Sequence, residues 1–316
     1  MDKIAIEIVK TLYKDQKGQP FLLTDNQSEI WSDIYKRRFP RNQIISYTRY
    51  GKSETTALAV LTRASTFPEK WAIVAPSEKK AKIILGYVID HIFDNNYTRS
   101  KFVLDSNENE QRIRHEKSKQ RLTFKISENR IGEIFILGAE AKKNINPLDA
   151  LMGFGSPNII LDESSLIPDI HYAGVVRMLG DSKDNFLLEI GNPFYRNHFY
   201  KTTKDTNYQH KIIDWKIGVK EGRIIQEFVE EMRTKAMFDV LYECKFPNED
   251  TIDAKCYTAL ISSQEFEKSI RTTQVFGQSR LGVDLARGGK SSTVAVLRFD
   301  NHAKRVFKSS SSNLMT

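Results

Sequence analysis

Cysteine is nearly absent from this chain: Cys244 and Cys256 are the only two among 316 residues. So few thiols make no disulfide framework and show no metal-ligand spacing, which fits a reducing compartment and two plain buried thiols. Long apolar runs are missing as well. Residues 83–89, among the longest uncharged apolar stretches, fall far short of the roughly 18 residues that a membrane helix needs. No secretory leader is visible, because Asp2, Lys3 and Glu7 break up the N-terminal apolar residues. There is no internal repeat. What is present is ordinary for a globular protein: 40% apolar and 28% charged residues, enough for one large core or one core plus a smaller unit. A net charge of +8 and a pI near 9.2 suggest a polyanionic partner, although many basic proteins bind no nucleic acid.

Apolar periodicity alternates between strand-like and helix-like segments, as in an α/β sheet. Strands are predicted at 42–47, 71–76, 121–126, 133–137, 158–161 and 186–190. Residues 52–65 continue the first of these as a helix. After the second, Ala81, Ile84, Leu85, Val88 and Ile92 recur at helical spacing. Beyond Pro193 the texture changes: 201–250 mixes charge with aromatics, and a helix is predicted at 223–232. Near Gly282 a strand runs through Asp284, followed by a turn at 287–290 and a second strand at 292–299. A third strand starts at Arg305, and the polar tail 309–316 is expected to fray.

Two constellations carry chemistry. Arg49-Tyr50-Gly51-Lys52-Ser53 lies between a strand and a helix, where backbone N–H groups at a helix N-terminus bind phosphate oxygens. Gly51 lets the backbone approach closely, Lys52 would reach the β- and γ-phosphates of ATP, and the Ser53 hydroxyl would bind Mg2+. The usual phosphate-loop pattern wants a glycine at position 46, which is Ser46 here, so a plain turn is the competing reading. The second constellation decides between them. Ile159-Ile160-Leu161 runs into Asp162-Glu163, and an acid ending a buried strand can coordinate Mg2+ while a second acid polarises the attacking water. The alternative is an acidic pair opening a helix. Gln27, upstream of the loop, could hold adenine, or could belong to an ordinary amphipathic helix. Gly191-Asn192-Pro193 could sense the γ-phosphate and couple its loss to neighbouring segments, or could be a simple turn.

The order of these motifs resembles the large subunit of a tailed-bacteriophage DNA-packaging terminase. The matching residues are Gln27, the loop Arg49 to Ser53, the strand 71–76 with Ser77, Gly153-Phe154-Gly155 before Asp162-Glu163, Gly191-Asn192-Pro193, and 240–246. The segment from Gly282 to Thr293 is similar to the opening hairpin of that family's ribonuclease-H-like nuclease. The resemblance implies a P-loop ATPase sheet of the RecA-like, additional-strand, catalytic-glutamate type with helices on both faces, over 1–200. A lid or linker would follow at 201–275, and an incomplete ribonuclease-H-like segment at 276–316. It implies ATP and Mg2+ as cofactors, with double-stranded DNA, a portal protein and a small terminase subunit as partners of a ring. It implies no membrane partner. The motor would work in the cytoplasm of the infected host, transiently at the procapsid portal, and would be absent from the mature virion.

Two departures stand out. Many members carry an arginine four residues before the loop lysine; that position is Thr48 here, and the arginine is Arg49, to which the resemblance would carry over the charge-stabilising role. Arg112, Arg114, Arg121 and Arg130 are candidates for an arginine reaching a neighbouring subunit, or simply a solvated basic surface. A two-metal nuclease needs several carboxylates, and Asp284 supplies one metal ligand. Asp300 falls in a predicted turn, so no competent nuclease is expected. Lys79, Lys80 and Lys82 could grip DNA phosphates, or face solvent. Two other readings of the chain stay open: a helicase-like or remodelling RecA-type ATPase, and a non-catalytic remnant that only docks partners.

Overall fold

Seven stretches of the chain build one sheet: β1 (Arg41–Ser46), β2 (Lys70–Ala75), β3 (Arg121–Ser127), β4 (Arg130–Gly138), β5 (Asn158–Asp162), β6 (Phe186–Gly191) and β7 (Gln209–Ile213). The computed structural model describes residues 2–104, 109–116, 119–139, 154–180, 182–247, 268, 275–285 and 292–309. Across the sheet the order is β3-β4-β2-β5-β6-β1-β7. Neighbours run parallel except β3 and β4, an antiparallel hairpin at one edge. The central strands β5 and β6 are buried at every position, which is why they read as unbroken apolar runs.

Helices occupy the connections: α1 (Lys3–Leu12), α2 (Asp25–Tyr35), α3 (Lys52–Thr66), α4 (Glu78–Ile92), α5 (Asn96–Lys101), α6 (Glu110–Glu116), α7 (Asp169–Arg177), α8 (His198–Thr202), α9 (Trp215–Lys220), α10 (Gln226–Met232) and α11 (Phe238–Leu241). Strand alternation divides the core between two faces. Trp71, Ile73 and Ala75 of β2 pack with Ile30, Leu58, Leu61, Ile84 and Val88 of α2, α3 and α4. Ala72 and Val74 face the other way, against Val175, Met178 and Leu179 of α7 and the turn after it. Each fully buried branched side chain contributes roughly 1.5–3 kcal/mol, so both layers are fastened to the same strands. Helices therefore cover both sides of the sheet.

The strand order positions the site. β6 separates β1 from β5, so the strand before the lysine loop and the strand before the acidic pair are not neighbours. Register brings their ends level all the same: Asp162 pairs with Ile190, and Ile45 pairs with Gly191. The carboxyl ends of parallel strands, where α/β sheets hold ligands, thus present Ser46, Asp162 and Gly191 along one edge.

β7 is a strand that sequence reading did not foresee. Gln209, His210 and Lys211 lack apolar alternation, which an edge strand tolerates because only one side must pair. Since β7 hydrogen-bonds to β1, the sheet continues past position 200. The chain forms two compact units, Met1–Thr258 and Ala259–Thr316. The second contains β8 (Arg280–Asp284), β9 (Thr293–Arg298) and β10 (Ala303–Ser309), an antiparallel sheet in the order β10-β9-β8. Asp300 lies in the β9–β10 turn, closed by Phe299 N–H donating to the His302 carbonyl at 2.6 Å. Cys256, Gly153, the turn at 287–290 and the tail at 310–316 lie outside the described residues. Among the described residues no helix is long and apolar enough to cross a membrane.

Candidate nucleotide-binding site

The loop from Tyr47 to Gly51 turns directly into α3. Gly51 caps that helix in the left-handed region, at φ 94°, with no side-chain cap on the first N–H groups. A β-carbon there would stand 2.8 Å from Gln27 Nε2 and 2.9 Å from Arg223 Nη2. The left-handed conformation therefore favours glycine, and any side chain would also have to displace the ends of Gln27 and Arg223. The result is a 15-residue helix whose N-terminus, carrying about half a positive charge, opens at the carboxyl edge of the sheet.

Lys52, in the first turn of α3, is only 7% exposed. Its Nζ donates to Asn192 Oδ1 at 3.1 Å and stands 3.3 Å from Glu163 Oε1. Asn192 is buried just after β6, and its Nδ2 donates to the Ser46 carbonyl at 2.9 Å. One carboxamide thus ties the end of β1 to the lysine. Gly191 permits this: a β-carbon on it would meet Glu163 Cα at 3.1 Å. Glu163 holds a left-handed backbone, φ 49°, unusual for a residue with a side chain. A 3-10 turn, Ser164–Leu166, follows it, and Ser165 Oγ donates to the Asn192 carbonyl at 2.6 Å. Lys52, Asp162, Glu163, Gly191 and Asn192 are thereby brought together, and Ser53 stands beside them on the first turn of α3.

Asp162 Oδ1 and Glu163 Oε2 are buried with no hydrogen-bond partner, a state that normally costs about 1–3 kcal/mol per group. Burial, and next the adjacent Glu163 carboxylate, push the Asp162 carboxyl well above the usual carboxylate range, with Lys52 opposing them. Two carboxylates and a hydroxyl suit Mg2+, which takes few protein oxygens and completes its shell with water and phosphate. Among the described residues no group of three or more His, Cys, Asp or Glu is placed to hold a metal, and Asp284 lies exposed at the end of the edge strand β8.

Other predicted residues are placed differently. Gln27 is buried, its Nε2 donating to the Tyr50 carbonyl at 3.0 Å while its Oε1 accepts from Thr24 N–H at 3.1 Å. Its carboxamide fastens the loop and caps α2. Tyr50 is buried under the loop with its hydroxyl donating to Glu221 at 2.7 Å. Arg49 is exposed, at φ 64°, and lines a groove of about 350 Å³ with Tyr47, Ile225, Phe228 and Tyr242. Arg114 and Arg121 pair with Glu110 and Glu133, and Lys82 pairs with Glu78 at 2.9 Å. The segment 240–246 does reach the loop, through the Leu241 carbonyl, which accepts from Thr48 N–H at 2.8 Å.

Sequence reading missed three participants. Glu221 accepts from Thr24 Oγ1, Asn26 N and Tyr50 Oη, each at 2.7–2.8 Å. Arg223 overhangs Gly51 and, with Glu54, Pro20, Phe21 and Leu22, lines a cavity of about 440 Å³ beside the loop. His91, buried on α4, holds Glu54 at 3.6 Å and Asp94 at 2.6 Å. Burial lowers its basicity, yet the two carboxylates outweigh that and raise it to about 9.

No family model matches the chain, and no curated protein matches it. Solved structures do. The HK97 bacteriophage large terminase aligns over 96% of this chain and 66% of its own, at 15% identity and a TM-score of 0.59. The large terminase of a thermophilic bacteriophage aligns over 92% and 68%, at 10% identity and a TM-score of 0.54; it has also been crystallised with ADP and with ATP-γ-S. The ATPase domain of the Thermus phage P74-26 large terminase aligns over 74% of this chain and 99% of its own, at 18% identity and a TM-score of 0.52. The chain spans about two thirds of the two longer proteins. Its sheet and helices have the fold of the ATPase domain of phage large terminases.

Proposed function

We propose that this chain is an ATP-hydrolysing motor subunit of a viral terminase, moving double-stranded DNA into a procapsid. One observation carries the reading: a buried ammonium and two carboxylates with orphaned oxygens converge beside an open helix N-terminus. Backbone N–H groups at the start of α3 would receive the phosphates of ATP, and Lys52 would exchange Glu163 and Asn192 for the β- and γ-phosphates. Ser53 and Asp162 would hold Mg2+, which supplies charge neutralisation on the transferred phosphoryl group. Glu163 would take the proton of the attacking water. Asn192, bonded to Lys52 and to the Ser46 carbonyl, would register loss of the γ-phosphate, with Gly191 and Pro193 fixing its position. The nucleoside would enter the cavity lined by Pro20, Phe21, Leu22 and Glu54, while Gln27 holds the loop from beneath.

A net charge of +8 favours sequence-independent grip on DNA phosphates, as a motor passing any base requires. Portal protein, small terminase subunit and further copies in a ring are the partners such a motor needs, in the cytoplasm of an infected host. Asp284 would be one ligand of a nuclease metal site. The test is turnover of Mg-ATP by Lys52→Ala and Glu163→Ala. Both lose hydrolysis, by roughly 10²–10⁴-fold for the general base, and Glu163→Ala still binds ATP. Unchanged turnover in either variant removes the mechanism.

A further inference from the structure

Several arginines in the first unit have acidic partners: Arg37 with Asp184, Arg63 with Glu69, Arg114 with Glu110, Arg121 with Glu133, Arg233 with Glu230. Arg223 does not. Its exposed side chain makes no hydrogen bond and no ion pair with any described residue. Yet its guanidinium lies against the phosphate loop, with Nη2 at 2.9 Å and Cζ at 3.8 Å from where a Gly51 β-carbon would stand.

The backbone that carries it is anchored. Arg223 N–H donates to the Gly218 carbonyl at 2.8 Å, and Gly222 turns the chain at φ 67°. Two residues earlier, Glu221 accepts hydrogen bonds from Tyr50 of the loop and from Thr24 and Asn26 at the start of α2. Gly218 presses on the Tyr47 ring so closely that a β-carbon would fall 2.4 Å from its hydroxyl. The segment after α9 is thus fastened to both ends of the loop, and its arginine is delivered to one place.

Three positive sources then converge: the α3 N-terminus, Lys52 and Arg223. Lys52 has Glu163; Arg223 has no ion pair with a described residue, and Glu54 lines the same cavity. A polyphosphate at the loop would offer oxygens to all three. An arginine can give such an oxygen two parallel hydrogen bonds. We propose that Arg223 is a nucleotide-contacting residue, donating in cis to the phosphates held by Lys52 and so linking α9 and α10 to the state of the nucleotide. The proposal rests on the ATP reading of the loop.

The experiment compares the wild-type chain with Arg223→Ala, Arg223→Lys and Lys52→Ala, using calorimetric titration of Mg-ATP together with steady-state hydrolysis. Arg223→Ala weakens Mg-ATP binding by roughly 10- to 100-fold and lowers turnover on the order of 10²-fold or more. Arg223→Lys recovers part of the binding, and the melting temperature without nucleotide stays at the wild-type value, because no hydrogen bond or ion pair to a described residue is lost. Mixing Arg223→Ala with Glu163→Ala gives only the sum of the separate rates. Wild-type binding and turnover in Arg223→Ala overturns the assignment, and restored turnover in the mixture overturns its action in cis. If wild-type protein binds no Mg-ATP, or Lys52→Ala binds it equally, the ATP reading itself fails and the proposal falls with it.

Discussion

Two carboxylate-bearing regions lie on adjoining strands and differ in one respect. At the end of β5, Asp162 and Glu163 each keep a buried oxygen without a partner. In the middle of β6, Glu189 is 0% exposed and both of its oxygens are occupied. Oε1 accepts from Tyr172 at 2.9 Å and Thr202 at 3.3 Å, and Oε2 accepts from Ser164 at 3.3 Å. His198, stacked on Tyr172, bonds to Ser164 at 3.1 Å and to Asp169 at 3.2 Å. That order of serine, histidine and aspartate matches a nucleophile relay on paper. Ser164 is fully buried, however, and offers no surface to a substrate. A satisfied buried network is architecture; the unpaired carboxylate oxygens beside Lys52 are the ones the proposed Mg-ATP would engage.

Changes at the two regions should therefore separate binding from stability. The largest binding effect is expected of Gly51→Ala, which forces a left-handed alanine into contact with Gln27 and Arg223. Mg-ATP affinity should fall by ~100-fold, with ~1–3 kcal/mol of stability lost in denaturant titrations. Glu189→Ala should do the reverse. It removes the acceptor of the Tyr172, Thr202 and Ser164 hydroxyls, of which Tyr172 and Ser164 keep Tyr208 and His198 as partners, costs about 2–4 kcal/mol, and leaves the affinity of the folded protein for Mg-ATP within about twofold of wild type. Equal loss of affinity in both variants would erase the distinction.

Smaller effects come from pH. Burial, against its hydrogen bonds, lifts the Glu189 carboxyl from 4.5 to about 7. The folded chain then keeps a proton that the unfolded chain releases, so this stability is full below pH 4.5 and is lost as pH rises through 7. Glu189→Gln should flatten that part of the stability profile. His91 loses its contribution in a higher window. Its imidazolium, raised from 6.5 to about 9 by Asp94 and Glu54, stabilises fully below pH 6.5 and is lost as pH rises through 9. His91→Gln should remove this alkaline slope, on the order of 3 kcal/mol or less.

The fold's central strands were legible because burial on both faces leaves unbroken apolar runs, as in β5 and β6. Lys52 and the acidic pair were legible for a related reason, since strand ends gather where parallel strands stop. β7 escaped because an edge strand can be as polar as Gln209-His210-Lys211. Glu221 and Arg223 escaped because their partners, Thr24, Tyr50 and Gly51, are remote in sequence, and no local pattern records such a contact. Gln27 shows the limit of motif reading. Its position beside the loop was visible, but only the fold reveals both ends of its carboxamide engaged with Tyr50 and Thr24.

The most direct measurement is a crystal structure of the chain with Mg2+ and ATP-γ-S. The triphosphate is expected across the first turn of α3, with Lys52 Nζ moved from Glu163 onto phosphate oxygens and Mg2+ within ~2.1 Å of Ser53 Oγ, Asp162 being on the same ion directly or through one water. A nucleotide bound elsewhere, with Lys52 still joined to Glu163 and Asn192, would contradict this expectation.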